Sequence, residues 1–188
     1  LNFENADWTF NKNKVKENNL SSIASLISNE VFKLTPIIHN ELVVRDRLSS
    51  MSMSGASNLL NRVFNNSDLK NLGMEGNPSE FGIYLSLIKS NNLHIKKGDE
   101  FVISIENTNN KSIKTIYDEF LKLIKGSKEA VNVSDIYAHF VKQPYGIKIG
   151  LLPILIGIFF KATEASCAFY NKDEQGRESL ITEFDQKI

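Results

Sequence analysis

Apolar residues fall at helical spacing from Leu20 onward: Leu20, Ile23, Leu26, Ile27, Val31 and Leu34 make one stripe, with Asn19 or Ser21 placed to cap it. Thr35-Pro36 ends this helix, because the residue before a proline is pushed out of the helical region. Upstream, residues 1–19 are polar and asparagine-rich with no sustained period. Phe3, Trp8 and Phe10 read there as ring anchors of an extended arm.

The segment I-I-H-N-E-L-V-V-R-D-R-L leads into S-S-M-S-M-S-G-A-S and then N-L-L-N-R-V-F. Asp46 or Ser49 can cap a helix running to about Phe64, whose small residues let a neighbouring backbone approach. Serine and glycine at this density also read as a flexible linker. N-P-S-E at 77–80 places Asn at the cap, Pro at the first helical position and Glu two residues later, a capping-box-like start. The helix it opens turns Phe81, Tyr84, Leu85 and Ile88 inward and stops near Asn91. After Lys96-Lys97-Gly98, the alternation in D-E-F-V-I-S-I predicts a short strand. An amphipathic helix over 111–125 follows, with Ile113, Ile116, Tyr117, Phe120, Leu123 and Ile124 toward the core.

Gly126-Ser127 marks a domain boundary. Beyond it V-N-V reads as a minimal strand, Ser134 as the cap of S-D-I-Y-A-H-F-V, and Q-P-Y-G as the turn into a third helix. Residues 165–170 and 178–181 read as strand arms around N-K-D-E-Q-G-R. Helix, strand, helix, turn, helix, hairpin is the order of a winged helix-turn-helix, if the 111–125 helix counts as its first. The expected fold is thus mainly α with minor β: an arm over 1–19, a helical bundle-like, lid-like part over 20–126 and a winged-helix-like part over 127–188.

The third helix of that unit complicates the picture. A helix that reads DNA offers polar and basic side chains to bases and phosphates, yet Gln143 to Phe160 is almost unbroken apolar sequence with Lys148 near its start and Lys161 just past its end. Pro153 and Gly157 interrupt it and it is too short for a bilayer, which needs about 20 residues. It reads as a buried core or protein-contact helix carrying Ile149, Leu152, Ile156 and Phe159, with Pro153 in or kinking its first turn and Gly150 and Gly157 permitting close packing.

Composition narrows the classes. With 188 residues and 41% hydrophobic content the chain can bury an ordinary core, and 22 basic against 22 acidic residues leave no overall field for nucleic acid or an anionic membrane. One cysteine, Cys167, excludes an internal disulfide framework and a cysteine-based zinc site; its A-S-C-A-F-Y setting reads as a buried structural position in a reducing, cytoplasmic protein. No secretory signal is expected, and the opening Leu1 reads as the start of a segment excised from a longer chain.

Candidate chemistry is sparse. His39 and Glu41 form an H-x-E without the downstream P-C-x-x-C that zinc deaminases need, and His94 and His139 lack carboxylates or cysteines at metal-ligand spacing. Neither G-x-S-x-G nor a P-loop is present. No catalytic residue, metal or cofactor is therefore expected. Arg45 and Arg47 flank Asp46 and can grip a phosphate or an acidic partner, or pair locally with Asp46 or Glu41. Lys96, Lys97, Lys111 and Lys114 form the most basic stretch and, with Lys172 and Arg177 of the wing, are candidate nucleic-acid contacts. Asp173, Glu174 and Glu178 leave the wing acidic on balance.

Three strings, H-N-E-L-V-V-R-D-R-L-S at 39–49, N-L-G-M-E-G-N-P-S-E-F-G-I-Y-L-S-L-I at 71–88 and Q-P-Y-G-I-K-I-G-L-L-P-I-L at 143–155, resemble a region downstream of the nucleotide-binding domain in very large bacterial ATP-binding proteins. Those proteins belong to restriction-like or phage-defence loci, including BREX-type systems, and the resemblance covers about 20–181. It implies a P-loop ATPase elsewhere in the polypeptide, and a helical lid and winged helix that report nucleotide state to partners. It transfers no catalytic residue, and Val44-Arg45 stands where the resembling region more commonly pairs asparagine with arginine. The expected role is a non-catalytic segment that contacts other domains of the same polypeptide or a partner protein. A sequence-independent DNA-binding module and an oligomerisation or scaffold domain are the alternatives; no membrane partner is expected.

Overall fold

The computed structural model describes residues 8–15, 19–127 and 129–181. They are mainly α with minor β-structure, built from six α-helices and three antiparallel two-stranded hairpins. Over 8–15 the arm is not extended: Thr9–Phe10 (β1) pairs with Asn13–Lys14 (β2). Asn11 and Lys12 both take positive φ, 49° and 65°, the turn geometry that matches strand twist in a two-residue hairpin. Phe3 lies outside the described residues.

Helix α1 (Leu20–Val31) is capped by the Asn19 side chain, which accepts from the Ser21 N–H. It stops at Phe32, ahead of Thr35-Pro36, because the following residues are bonded to a distant turn. The Leu34 N–H donates to the Pro144 carbonyl at 3.1 Å and the Thr35 hydroxyl donates to the Tyr145 carbonyl. The serine-rich stretch is helix α2 (Ser50–Asn65), not linker: Ser49 accepts from the Ser52 N–H, and Ser52, Gly55, Ala56, Leu59 and Val63 form its buried face. Asp46 does not cap it.

N-P-S-E does not act as a capping box. Helix α3 begins at Phe81 (Phe81–Ile83) and continues as a π-helical turn, Tyr84–Lys89. The Glu80 carboxylate leaves the helix start and accepts from Arg62 Nε on α2 at 2.8 Å and from the Ser79 hydroxyl at 3.2 Å. The wider turn also resets the helical phase, so Tyr84, Leu87 and Ile88 are buried while Leu85, expected inside, is 38% exposed. The predicted strand, β4 (Glu100–Ile103), has a partner that its sequence did not announce, β3 (His94–Lys97), reached through Gly98 at φ +66°.

Helix α4 (Lys111–Gly126) starts from Asn110, whose side chain accepts from the Ser112 and Ile113 N–H groups. V-N-V is not a strand: Asn132 takes the N-cap position of α5 (Val133–Val141) and Val133 opens it, leaving Ser134 inside the helix. Helix α6 (Leu152–Thr163) carries Pro153 in its first turn, as expected. Of the arms after it, the first is displaced, β5 (Tyr170–Lys172) sharing only Tyr170 with the expected 165–170, and it pairs with β6 (Glu178–Leu180); Cys167 ahead of them is half-buried.

A helix apolar on every side is stable only when surrounded, and α6 is: Leu152, Ile154 to Phe160 and Thr163 are all buried. It packs chiefly against α2, touches β4, and sets Phe159 and Phe160 against Phe120 of α4 at ring distances of 5.6 and 5.0 Å. Phe160 holds Phe169, just before β5, at 4.1 Å. One buried apolar set thus runs from Ile38 to Phe160, through both sides of Gly126-Ser127. The charge that ends the run, Lys161, is tolerated because its ammonium donates to the Phe64 carbonyl in the last turn of α2 at 3.2 Å and to Glu164 at 2.7 Å. Among the described residues no helix is long and apolar enough to cross a membrane.

The Arg62–Glu80 pair joins α2 to α3 with side chains 32% and 4% exposed. Burial pushes the Glu80 carboxyl up; hydrogen bonds from its own backbone N–H, Arg62 and Ser79, together with the Arg62 charge, outweigh this and hold it below the usual value. A carboxyl lowered in the fold stabilises fully above its unfolded value, about 4.3, and that contribution is lost as pH falls through the folded value. Glu80→Gln is expected to cost about 1–3 kcal/mol at pH 7, discounted from a fully buried pair because Arg62 reaches water. Urea melts at pH 7 and pH 3 check this: the gap between variant and wild type should close at the lower pH.

Candidate functional site: a seam joining three distant segments

Asn40 begins the site. Its side-chain carbonyl accepts from the Leu42 N–H at 2.9 Å, its backbone carbonyl accepts from Val43 and Val44, and the turn is pinned by the fully buried Val43. The other half of the same amide donates to the Ser86 hydroxyl at 2.7 Å, fastening this turn to the π-helical turn after α3. Further along, the Arg45 carbonyl accepts from the Gly150 N–H at 2.8 Å, and Asp46 accepts from Lys148 Nζ at 2.8 Å. A Cβ at Gly150 would lie 2.7 Å from the Arg45 carbonyl oxygen and 2.4 Å from Leu48 Cδ2, so the two chains pass at a distance open only to glycine. The three strings of the sequence resemblance, distant along the chain, meet here.

This bracing presents Arg45 and Arg47 outward. Arg45 lies 3.9 Å from Glu41 with side chains 56% and 96% exposed, a contact worth about 0–1 kcal/mol in water. Asp46, the other local partner expected for the arginines, is taken by Lys148. Arg47 is exposed and has no ion pair among the described residues. Beside them in the chain or across the seam stand exposed apolar side chains: Ile37, Leu42, Met51 and Ile149, 50–77% exposed. Arginine with solvent-exposed methionine and aliphatic groups is the composition of a protein-contact surface more than of a phosphate clamp.

The remaining predicted residues separate cleanly. Ile149 precedes α6 and is 53% exposed, whereas Leu152, Ile156 and Phe159 are core and reach no partner surface. Lys96 and Lys97 stand exposed on β3, and Lys111 and Lys114 are exposed in the first turn of α4; no ion pair involves them among the described residues. The wing cations are spent on their own acids: Lys172 lies 3.7 Å from Glu178, and Arg177 Nε donates to Asp173 at 2.7 Å. The Asp173 side chain also accepts the Gln175 and Arg177 backbone N–H groups, so it organises the hairpin turn.

A shallow cleft of about 450 Å³ lies between His39, Ser86, Asn91 and Asn110. Its polar wall is occupied by the fold: the Asn91 amide donates to the Leu87 carbonyl at 2.8 Å and accepts from Asn110, while the Thr108 hydroxyl donates to the Asn91 carbonyl. Among the described residues no three His, Cys, Asp or Glu side chains gather to hold a metal ion. His139 faces Glu119 at 3.5 Å, beyond good hydrogen-bond distance, and packs edge-on to Phe140.

Compared with known proteins, the chain matches no protein family, no curated protein and no solved structure. Sequence reasoning singled out Arg45 and Arg47 but missed what braces them. Asn40 offered a weak Asx-turn signal, since Leu42-Val43-Val44 after it are apolar; the Asp46–Lys148 and Arg45–Gly150 contacts, more than a hundred residues apart, left no local trace.

Proposed function

We propose that this chain is a non-catalytic segment that works through protein contacts, with the braced turn bearing Arg45 and Arg47 as its contact surface. The observation that carries this reading is the burial of α6, nine of whose twelve residues are buried. It is the one helix positioned in the sequence to act as a recognition helix, and exposed arginine and apolar side chains lie instead on and beside the turn that Lys148 and Gly150 brace. The resemblance of the three strings supports reading the segment as part of a large bacterial ATPase of the phage-defence type, a helical lid with a winged-helix-like part that couples nucleotide state to partners. The spatial convergence of those strings supports treating them as one functional unit.

The test uses the full-length protein with this segment deleted or carrying Arg45→Glu and Arg47→Glu. ATP turnover or partner binding is expected to fall in both; undiminished turnover together with undiminished partner binding overturns the proposal. A second reading, sequence-independent DNA contact, draws on Lys96 and Lys97, exposed and without an ion pair among the described residues. It requires binding that weakens steeply with salt. A gel-shift titration at low salt is expected to show no complex in the micromolar range; a salt-sensitive complex that Lys96→Gln with Lys97→Gln abolishes would favour DNA instead.

A further inference from the structure

The geometry points to His94 as an acid-sensitive latch that holds the β3–β4 hairpin, and with it Lys96 and Lys97, against the turn that follows α2. The ring is 8% exposed and is gripped at both nitrogens: Nε2 lies 2.9 Å from the Ser67 carbonyl and Nδ1 lies 3.1 Å from the Tyr84 hydroxyl. A carbonyl only accepts, so Nε2 carries the proton and the neutral ring takes the Tyr84 O–H at Nδ1. Tyr84 and Phe101 close over it, ring centroids 5.9 and 5.2 Å away. The same turn is bonded a second time to the hairpin, where the Phe101 N–H donates to the Asp68 carbonyl at 3.0 Å.

A second proton on this ring places a charge in an apolar cage. On the elements packed around it Tyr84 is the titratable partner. Asp68 and Lys70 on the turn, Lys89 on the π-helical turn, Glu100 on β4 and Lys96 and Lys97 on its own strand are all exposed. On α6, which meets β4, Lys161 and Glu164 neutralise each other. Burial holds the imidazole below its usual range, opposed by the hydrogen bond to Ser67. A group lowered in this way favours the closed hairpin fully above the ordinary histidine value, about 6.5, and the preference is lost as pH falls from there through the folded value.

Hydrogen exchange across pH 7 to pH 5, corrected for the intrinsic rate, reads the latch directly. Protection of the Phe101 and Ser104 amides and of the β3–β4 ladder is expected to fall as pH drops below the ordinary histidine value, by at most about tenfold per pH unit until the folded value is reached. Core amides of α6 should change less. His94→Gln keeps a donor for Ser67 and an acceptor for Tyr84 without titrating, and is expected to make hairpin protection independent of pH over this range. Should that variant not fold, the wild-type imidazole signal decides. A His94 midpoint at or above about 6.5, or hairpin protection that does not change as His94 titrates, overturns the inference.

Discussion

Phe120→Ala is expected to remove about 3–5 kcal/mol of stability, a large part of the 5–15 kcal/mol typical of a whole domain. Phe120 is 0% exposed and meets α6 through Phe159 at 5.6 Å and Phe160 at 5.0 Å; Tyr117, beside it at 6.4 Å, also reaches Phe159, at 5.2 Å. Its loss leaves a cavity bounded by rings that belong to two helices, and neither helix can move in without leaving its other contacts. Phe160 also supports Phe169 ahead of the β5–β6 hairpin, so the hairpin should loosen with the core. Phe120→Leu, which restores most of the volume, should cost under about 1.5 kcal/mol. Urea melts of the three proteins check this, and an alanine penalty below about 1 kcal/mol would show that the aromatic cluster is not the joint between α4 and α6.

The seam gives the second large effect. Gly150→Ala is expected to cost about 2–3 kcal/mol, near the top of the range for overpacking, because the added Cβ meets a backbone oxygen, Arg45 at 2.7 Å, as well as Leu48. A backbone atom cannot rotate away, so the turn over residues 40–48 must shift, stretching the Gly150–Arg45 hydrogen bond and the Lys148–Asp46 pair. Gly157→Ala is the informative contrast. Its Cβ would lie 2.4 Å from Leu60 Cδ2 but 3.6 Å from Leu60 Cγ, so a change of leucine rotamer relieves the clash and the cost should be smaller. Gly82→Ala meets nothing within 4 Å and should be neutral or slightly stabilising. Thermal melts rank the three, and limited proteolysis should report faster cutting near Arg45 and Arg47 in the Gly150 variant alone. Equal costs at Gly150 and Gly82 would refute the steric account.

These two cases show where sequence reasoning is strong and where it stops. The stripe over 111–125 predicted α4 and its buried residues Ile113, Ile116 and Phe120, because helical periodicity is written into neighbouring positions. Ser49 and Asn19 were readable as caps for the same reason: a cap satisfies backbone groups two or three residues away. N-P-S-E failed although its local signal was the clearest in the chain. A glutamate that could cap a helix start found an arginine on another helix, and a charge-assisted hydrogen bond away from water outweighs a capping bond at the surface. V-N-V failed for a related reason, since two β-branched residues carry a strand preference too weak to resist the helix that Asn132 opens.

Of the site, the sequence alone named the two arginines and the glycines beside the apolar run, and its local patterns determined the helices, their caps and the demand that α6 be surrounded. What surrounds α6, which carboxylate takes Lys148, and that Leu152, Ile156 and Phe159 serve the core while Ile149 stays at the surface were decided only by tertiary structure. Periodicity reports a side chain's face on its own helix, over a few residues. The partner across the gap is chosen by packing and charge between segments about a hundred residues apart, and no window of the chain contains both.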